Sequence, residues 1–210
     1  ALLVAIPLGV LQAVRRNSVV DRWATSLAYV LYATPTFLLG LVLIAVFSQS
    51  LELFPAEASQ SHSPWVVFTD PRSMALPVAT IAVTSIAVFS QYQRSSALDQ
   101  LGQDYIRVAR AKGLPERLVV TRHLLRNACL PVITLVGTMI PILLAGNLIV
   151  ESLFNYPGGL GGLLFLNSLQ REDYPVLLAY TLIGGVLTVA GNFIADIAVA
   201  LADRRIELAA

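Results

Sequence analysis

The 210 residues are 56% hydrophobic and 13% charged, with a mean hydropathy of +0.72, whereas a soluble domain carries about 25% charged residues, so a water-soluble globular fold is excluded. The formal net charge of +1 says little as a total, and no nucleic-acid partner is expected. A single cysteine, Cys129, excludes an internal disulfide framework and a Cys-based zinc site, and the two histidines, His62 and His123, are too far apart in sequence to form a ligand cluster.

Apolar runs at 1–14, 24–47, 76–89, 128–150 and 175–201 predict an all-α membrane protein with about five spanning helices in a lipid bilayer. The first run has 14 residues, short of the roughly 20 that span a bilayer, and it lacks the charged start of a signal peptide. It reads as the second half of a truncated spanning helix, with the upstream part missing. The second run contains Pro35 and Gly40; the fourth contains Pro131, Gly137 and Pro141. Such residues bend helices in lipid at tolerable cost. The third run is short, but residues 90–92 can extend it. The last, about 40 Å long as a helix, must tilt or protrude. Its Ala179, Gly184, Gly185, Ala190 and Gly191 allow close helix packing.

Polar residues within the runs are Thr80, Thr84, Ser85, Thr134, Thr138, Asn147, Thr188, Asn192 and Asp196. They either line a polar path or bond back to their own helices. Asp196 lies well toward one end of its run, which favours an interfacial or capping role over proton relay.

The loops divide by charge. Of the 14 Lys and Arg residues, only Arg72 and Arg171 lie in 48–75 and 151–174; the rest lie in 12–23, 90–127 and 202–210. Cations favour cytoplasmic loops, so the second set is assigned inside, the C-terminus with it, and the first residue outside.

The most polar segment, 99–131, holds Arg107, Arg110, Lys112, Arg117, Arg122 and Arg126. Residues 103–112 predict a helix with Gly113 as its left-handed stop. Pro115 suits the first position of a second helix, with Glu116 in its acidic first turn, running to about Asn127. Arg107 and Arg110 share a face of the first helix; Arg122 and Arg126 share one of the second. Headgroup anchoring explains the charge but not the compact corner; a docking platform for a cytoplasmic protein explains both.

The run SSALDQLGQDYIRVARAKGLPERLVVTRHLLRNACLPVIT resembles the cytoplasmic loop of ABC importer permeases of the dipeptide/oligopeptide/nickel subgroup. IVESLFNYPGGLG at 149–161, REDYPV at 171–176 and the closing ALADRRIEL are similar to further signatures of that family. The resemblance covers nearly the whole chain. It implies one permease domain over 1–210, an importer-permease-like helix bundle, and a two-helix coupling loop at about 93–127. By resemblance, Asp104, Tyr105, Arg107, Ala109, Arg110, Ala111, Lys112, Gly113, Arg122, His123, Arg126 and Asn127 couple to an ATPase. The implied partners are a second homologous permease, two cytoplasmic ATPase subunits and an extracytoplasmic solute-binding protein. The sequence departs from the wider importer motif at Arg107, Val108 and Ala109, which stand where that motif reads Glu-Ala-Ala, and at Arg204, where the family closes with Pro.

No G-x-x-x-x-G-K-[ST] phosphate loop occurs; the cluster Gly158–Gly162 has no following Lys. No cofactor is expected on this chain, ATP and Mg being used by the partner ATPases, and no Ser-His-Asp set or metal cluster points to an enzyme. The Gly-rich corner in 151–174 is either a plain turn or a gate dipping toward the translocation path. On the gate reading, Thr134, Thr138, Asn147, Glu151, Phe154, Pro157, Gly158 and Gly161 line gate or path. The loop 48–75 is a candidate docking surface for the solute-binding protein, with Trp65 alternatively an interfacial anchor. Three other functions stay open: a secondary transporter, which needs paired ionisable residues at mid-membrane, a permease for nickel or another non-peptide solute, and a non-transporting membrane scaffold, which predicts no solute-dependent stimulation of a partner ATPase.

Overall fold

A computed structural model describes residues 1–61, 65–144, 148–156, 161, 165 and 167–202. Among them every regular element is helical. In order these are α1 Leu2–Val14, α2 Val19–Ala33, α3 Thr36–Leu43 prolonged by a π-helical stretch Ile44–Ser50, the short α4 Val66–Thr69, and the long α5 Pro71–Leu101. Next come α6 Asp104–Ala111, α7 Glu116–Leu118, a π stretch Val119–Leu124, and α8 Leu125–Ala128. The last are α9 Leu130–Leu144, α10 Leu148–Leu153, α11 Asn167–Gln170 and α12 Tyr174–Ala202.

Two helices, Pro71–Leu101 and Tyr174–Ala198, are each long and apolar enough to cross a membrane. The count rises to four if Val19–Ala33 with Thr36–Ser50, and Glu116–Ala128 with Leu130–Met139, each form one broken span. The shorter apolar α1 coincides with the first predicted run. The breaks have sequence causes. Pro35 takes an extended ψ of 134° between α2 and α3. Pro131 lacks the N–H that would bond to Asn127, and there the helix bends by 44°. The third run is longer than expected: α5 continues to Leu101 because Gln91–Leu101 contains no breaker before Gly102.

The chain forms two compact units, 1–33 with 85–137 and 192–210, and 34–84 with 138–191. In the first, α1 lies hard against α5. A Cβ on Gly9 would sit 2.6 Å from the Ser90 carbonyl oxygen and 2.9 Å from the Arg94 nitrogen, so only glycine permits this approach. The core of this unit is Val10 and Ala13 of α1, Ala97 of α5, Ile106 and Ala109 of α6, and Val119, Leu124 and Ala128 beyond the corner. In the second unit, Ala58, Met74, Leu76, Val150 and Phe154 form the core, backed by Leu43, Phe47, Phe54 and Ile81. Most of α12 is bare: Leu178, Leu182, Val186, Val189 and Phe193 are exposed, as suits a lipid- or subunit-facing helix.

Candidate functional site

The polar segment after α5 folds into the expected helix–corner–helix. Gln103 caps α6, Asp104 sits in its first turn and Arg110 in its last, both favourable to the helix dipole. The Tyr105 hydroxyl donates to Gln100 Oε1 at 2.7 Å, tying α6 to the end of α5. Ile106 and Ala109 are buried and face the core, whereas Asp104, Arg107, Val108, Ala111 and Lys112 are exposed. Arg107 Nη1 donates to Asp104 Oδ1 at 3.2 Å, with both side chains in solvent, where such a pair contributes little.

The corner is a Schellman turn. The Gly113 N–H donates to the Arg110 carbonyl at 2.9 Å, and the Leu114 N–H to the Ala109 carbonyl at 3.4 Å. Gly113 has φ +75°, the left-handed region that penalises a Cβ. Pro115 is extended, at ψ 142°, so it caps the second helix from outside rather than occupying its first position as expected; Glu116 does that. Arg110 forks onto Glu116 across the corner, Nε to Oε2 at 3.1 Å and Nη2 to Oε1 at 2.6 Å. That guanidinium holds the Glu116 carboxyl below its ordinary 4.5.

The second helix departs from the uninterrupted α-helix the sequence predicts. Val119–Leu124 is π-helical, with i→i+5 bonding. In a regular α-helix Val119 and Leu124 would lie about 140° apart at 100° per residue; the wider turn lets both be buried in one core. Arg117, Arg122 and Arg126 stay exposed, and His123 and Asn127 are half-buried. The platform is thus an apolar underside gripped by α1 and α5, and an outer face carrying cations.

In the second unit, Glu151 Oε2 accepts the Gly161 N–H at 2.8 Å. A Cβ at Gly161 would lie 2.8 Å from Leu148 Cα. Phe154 is fully buried; its carbonyl accepts the Ala58 N–H at 2.7 Å. Gln60 Nε2 then bridges the carbonyls of Ala58 and Asn155, at 3.1 and 3.0 Å. Glu151 and Gly161 therefore come together and Phe154 lies in the core of this unit, while Asn147, Pro157 and Gly158 lie outside the described residues. Thr134 and Thr138 are exposed on α9, and Thr134 Oγ1 donates to its own helix at Leu130, 3.3 Å away. Asp196 is exposed on α12.

One feature escaped the sequence reading. Arg94, one of the cations of 90–127, forks onto Asp21, Nε to Oδ1 at 2.8 Å and Nη2 to Oδ2 at 3.0 Å. Asp21 also accepts the Asn17 N–H and the Thr25 hydroxyl, and Gln12 donates to Thr25. The Ser18-x-x-Asp21 pattern before an apolar run is a capping signal that flags Asp21, though not its partner. Among the described residues no group of three or more His, Cys, Asp or Glu could hold a metal.

The family model for the binding-protein-dependent transport system inner membrane component matches residues 5–208. The oligopeptide transport system permease protein AppB of Bacillus subtilis is 44% identical over 99% of this chain and 65% of its own length. The dipeptide transport system permease protein DppB of the same organism is 39% identical over 99% of this chain and 64% of its own length. The glutathione transport system permease protein GsiC of Escherichia coli is 36% identical over 94% of this chain and 61% of its own length. The chain thus spans less than two thirds of these relatives. With a cation-faced two-helix platform on an all-helical, lipid-compatible frame, and a family match over almost its whole length, the chain belongs to the binding-protein-dependent transport system inner membrane components.

Proposed function

We propose that this chain is the membrane-spanning part of a permease subunit in an ATP-driven importer of peptides or related small solutes. Residues 104–127 are the seat for a cytoplasmic ATPase, the source of its energy. A second permease, two ATPases and an extracytoplasmic binding protein complete the assembly; residues 12–23, 90–127 and the C-terminus face the cytoplasm. The relatives' names, oligopeptide, dipeptide and glutathione transport permeases, supply the cargo class. The observation that carries the coupling role is the build of the platform: its apolar side is fixed to α1 and α5, so a force on Arg107, Lys112, Arg122 or Arg126 reaches spanning helices directly. Moving a two-state gate from 1:99 to 99:1 takes about 5.5 kcal/mol, and ATP-driven movement of this platform provides it.

The test is Gly113→Val in the reconstituted transporter. At φ +75° a β-branched residue deforms the corner, and ATP hydrolysis should continue while uptake falls. Undiminished uptake with normal coupling would rule the platform out as the coupling element.

A further inference from the structure

A second site lies in the other unit, at the turn between the π stretch after α3 and the start of α5. An open surface depression of about 440 Å³ is lined by Ser48, Glu52, Phe54, Pro55 and Arg72, with Glu52, Pro55 and Arg72 exposed. Its two charges are of opposite sign, yet among the described residues neither is in an ion pair. The Arg72 side chain is held in place by backbone. Arg72 Nε donates to the Leu53 carbonyl at 3.1 Å, leaving its Nη edge for another acceptor. Leu53 and Phe54 both donate their N–H groups to the Phe47 carbonyl, and Glu52, just before them, sits at φ +51°, a conformation a non-glycine residue adopts at a cost.

The helix dipoles reinforce the same polarity. Arg72 is in the first turn of the 31-residue α5, where negative charge is favoured and where Asp70 already accepts the Ser73 N–H at 3.4 Å. Glu52 follows the last turn of the Ile44–Ser50 stretch, where positive charge is favoured. An anion-seeking end and a cation-seeking end thus share one open depression, whose lining also includes a phenyl ring, a proline and a hydroxyl. We propose that this depression binds a small zwitterion, a free amino acid or short unblocked peptide, with its carboxylate at Arg72 and its ammonium at Glu52. The peptide cargo class rests on the proposed function; the site itself is read by binding alone.

The experiment titrates dialanine, N-acetyl-dialanine and dialanine amide into the full-length protein in nanodiscs without ATP, followed by ligand-observed NMR. For the wild type each blocked form should bind about threefold to fivefold more weakly, the scale of an exposed ion pair. Glu52→Gln should erase the difference between dialanine and its N-acetyl form alone, and Arg72→Gln that between dialanine and its amide alone. Arg72→Lys should restore the latter. Equal binding of all three forms, no binding, binding that appears only with the solute-binding protein present, or variants that weaken all three alike would overturn the proposal. Transport by a protein that fails here would overturn the site while leaving the importer reading intact.

Discussion

Arg94 and Asp21 are 73 positions apart and meet through two hydrogen bonds of 2.8 and 3.0 Å. The Asp21 side chain is 3% exposed and that of Arg94 22%. A fork of this kind fixes orientation as well as distance, and here it locks the start of α2 to the part of α5 that also carries the platform.

Removing one member of that pair strands the other. Arg94→Gln or Asp21→Asn should each destabilise the protein by on the order of 3 kcal/mol. The double variant should cost clearly less than the two added together, because neither charge is then left alone. Thermal melts of the purified protein in one detergent, arranged as a double-mutant cycle, check this; strict additivity would mean the pair is not coupled.

Gly9 and Gly184 should respond oppositely to alanine. A Cβ at Gly9 meets α5 backbone at 2.6 and 2.9 Å, whereas one at Gly184 meets nothing within 4 Å. Gly9→Ala should cost about 1–3 kcal/mol by overpacking, and Gly184→Ala should be neutral or stabilise by up to about 1 kcal/mol. Melting temperatures of the two variants side by side give the answer.

The Arg110–Glu116 clamp gives the corner a pH dependence. Arg110 lowers the Glu116 pKa, so the folded state favours the ionised carboxylate. The stabilisation is therefore complete above the ordinary value of 4.5 and is lost as pH falls through the lowered folded value. Both side chains are nearly half exposed, at 45% and 49%, which limits the effect to under about 1 kcal/mol and makes it salt-sensitive. Protection factors of the amides of 112–114 and 116, corrected for the intrinsic exchange rate at each pH, should fall in acid or high salt, and Glu116→Gln should show the lower protection at neutral pH with no further acid response.

Glu151 should hold Gly161 through its N–H. Glu151→Ala removes the acceptor of the Gly161 N–H and should raise local exchange by about 1–3 kcal/mol of lost protection. Glu151→Gln keeps an acceptor oxygen and should largely preserve it. Hydrogen exchange at Gly161 in the three proteins separates hydrogen bonding from charge.

Much of the architecture is local chemistry and was legible in the chain. Hydropathy located the membrane helices because lipid forces each segment to satisfy its own backbone, and Gly113 marked a helix stop because only a residue without a Cβ takes φ +75° cheaply. The corner at 113–115 and the cationic outer face followed from residues a few positions apart. What the tertiary structure alone decided involves partners far apart in sequence. Nothing near Arg94 indicates Asp21, and nothing near Gly9 indicates the α5 backbone pressed against it. The π stretch at Val119–Leu124 has no signature of its own; it forms because a core made by α1, α5 and α6 accepts both residues, and packing outweighs the small local cost of the wider turn. Ala109 shows the same division. Its place in the motif was readable, but whether it meets a partner or the core depended on where α1 lies, and the structure buries it against that helix's contribution to the core.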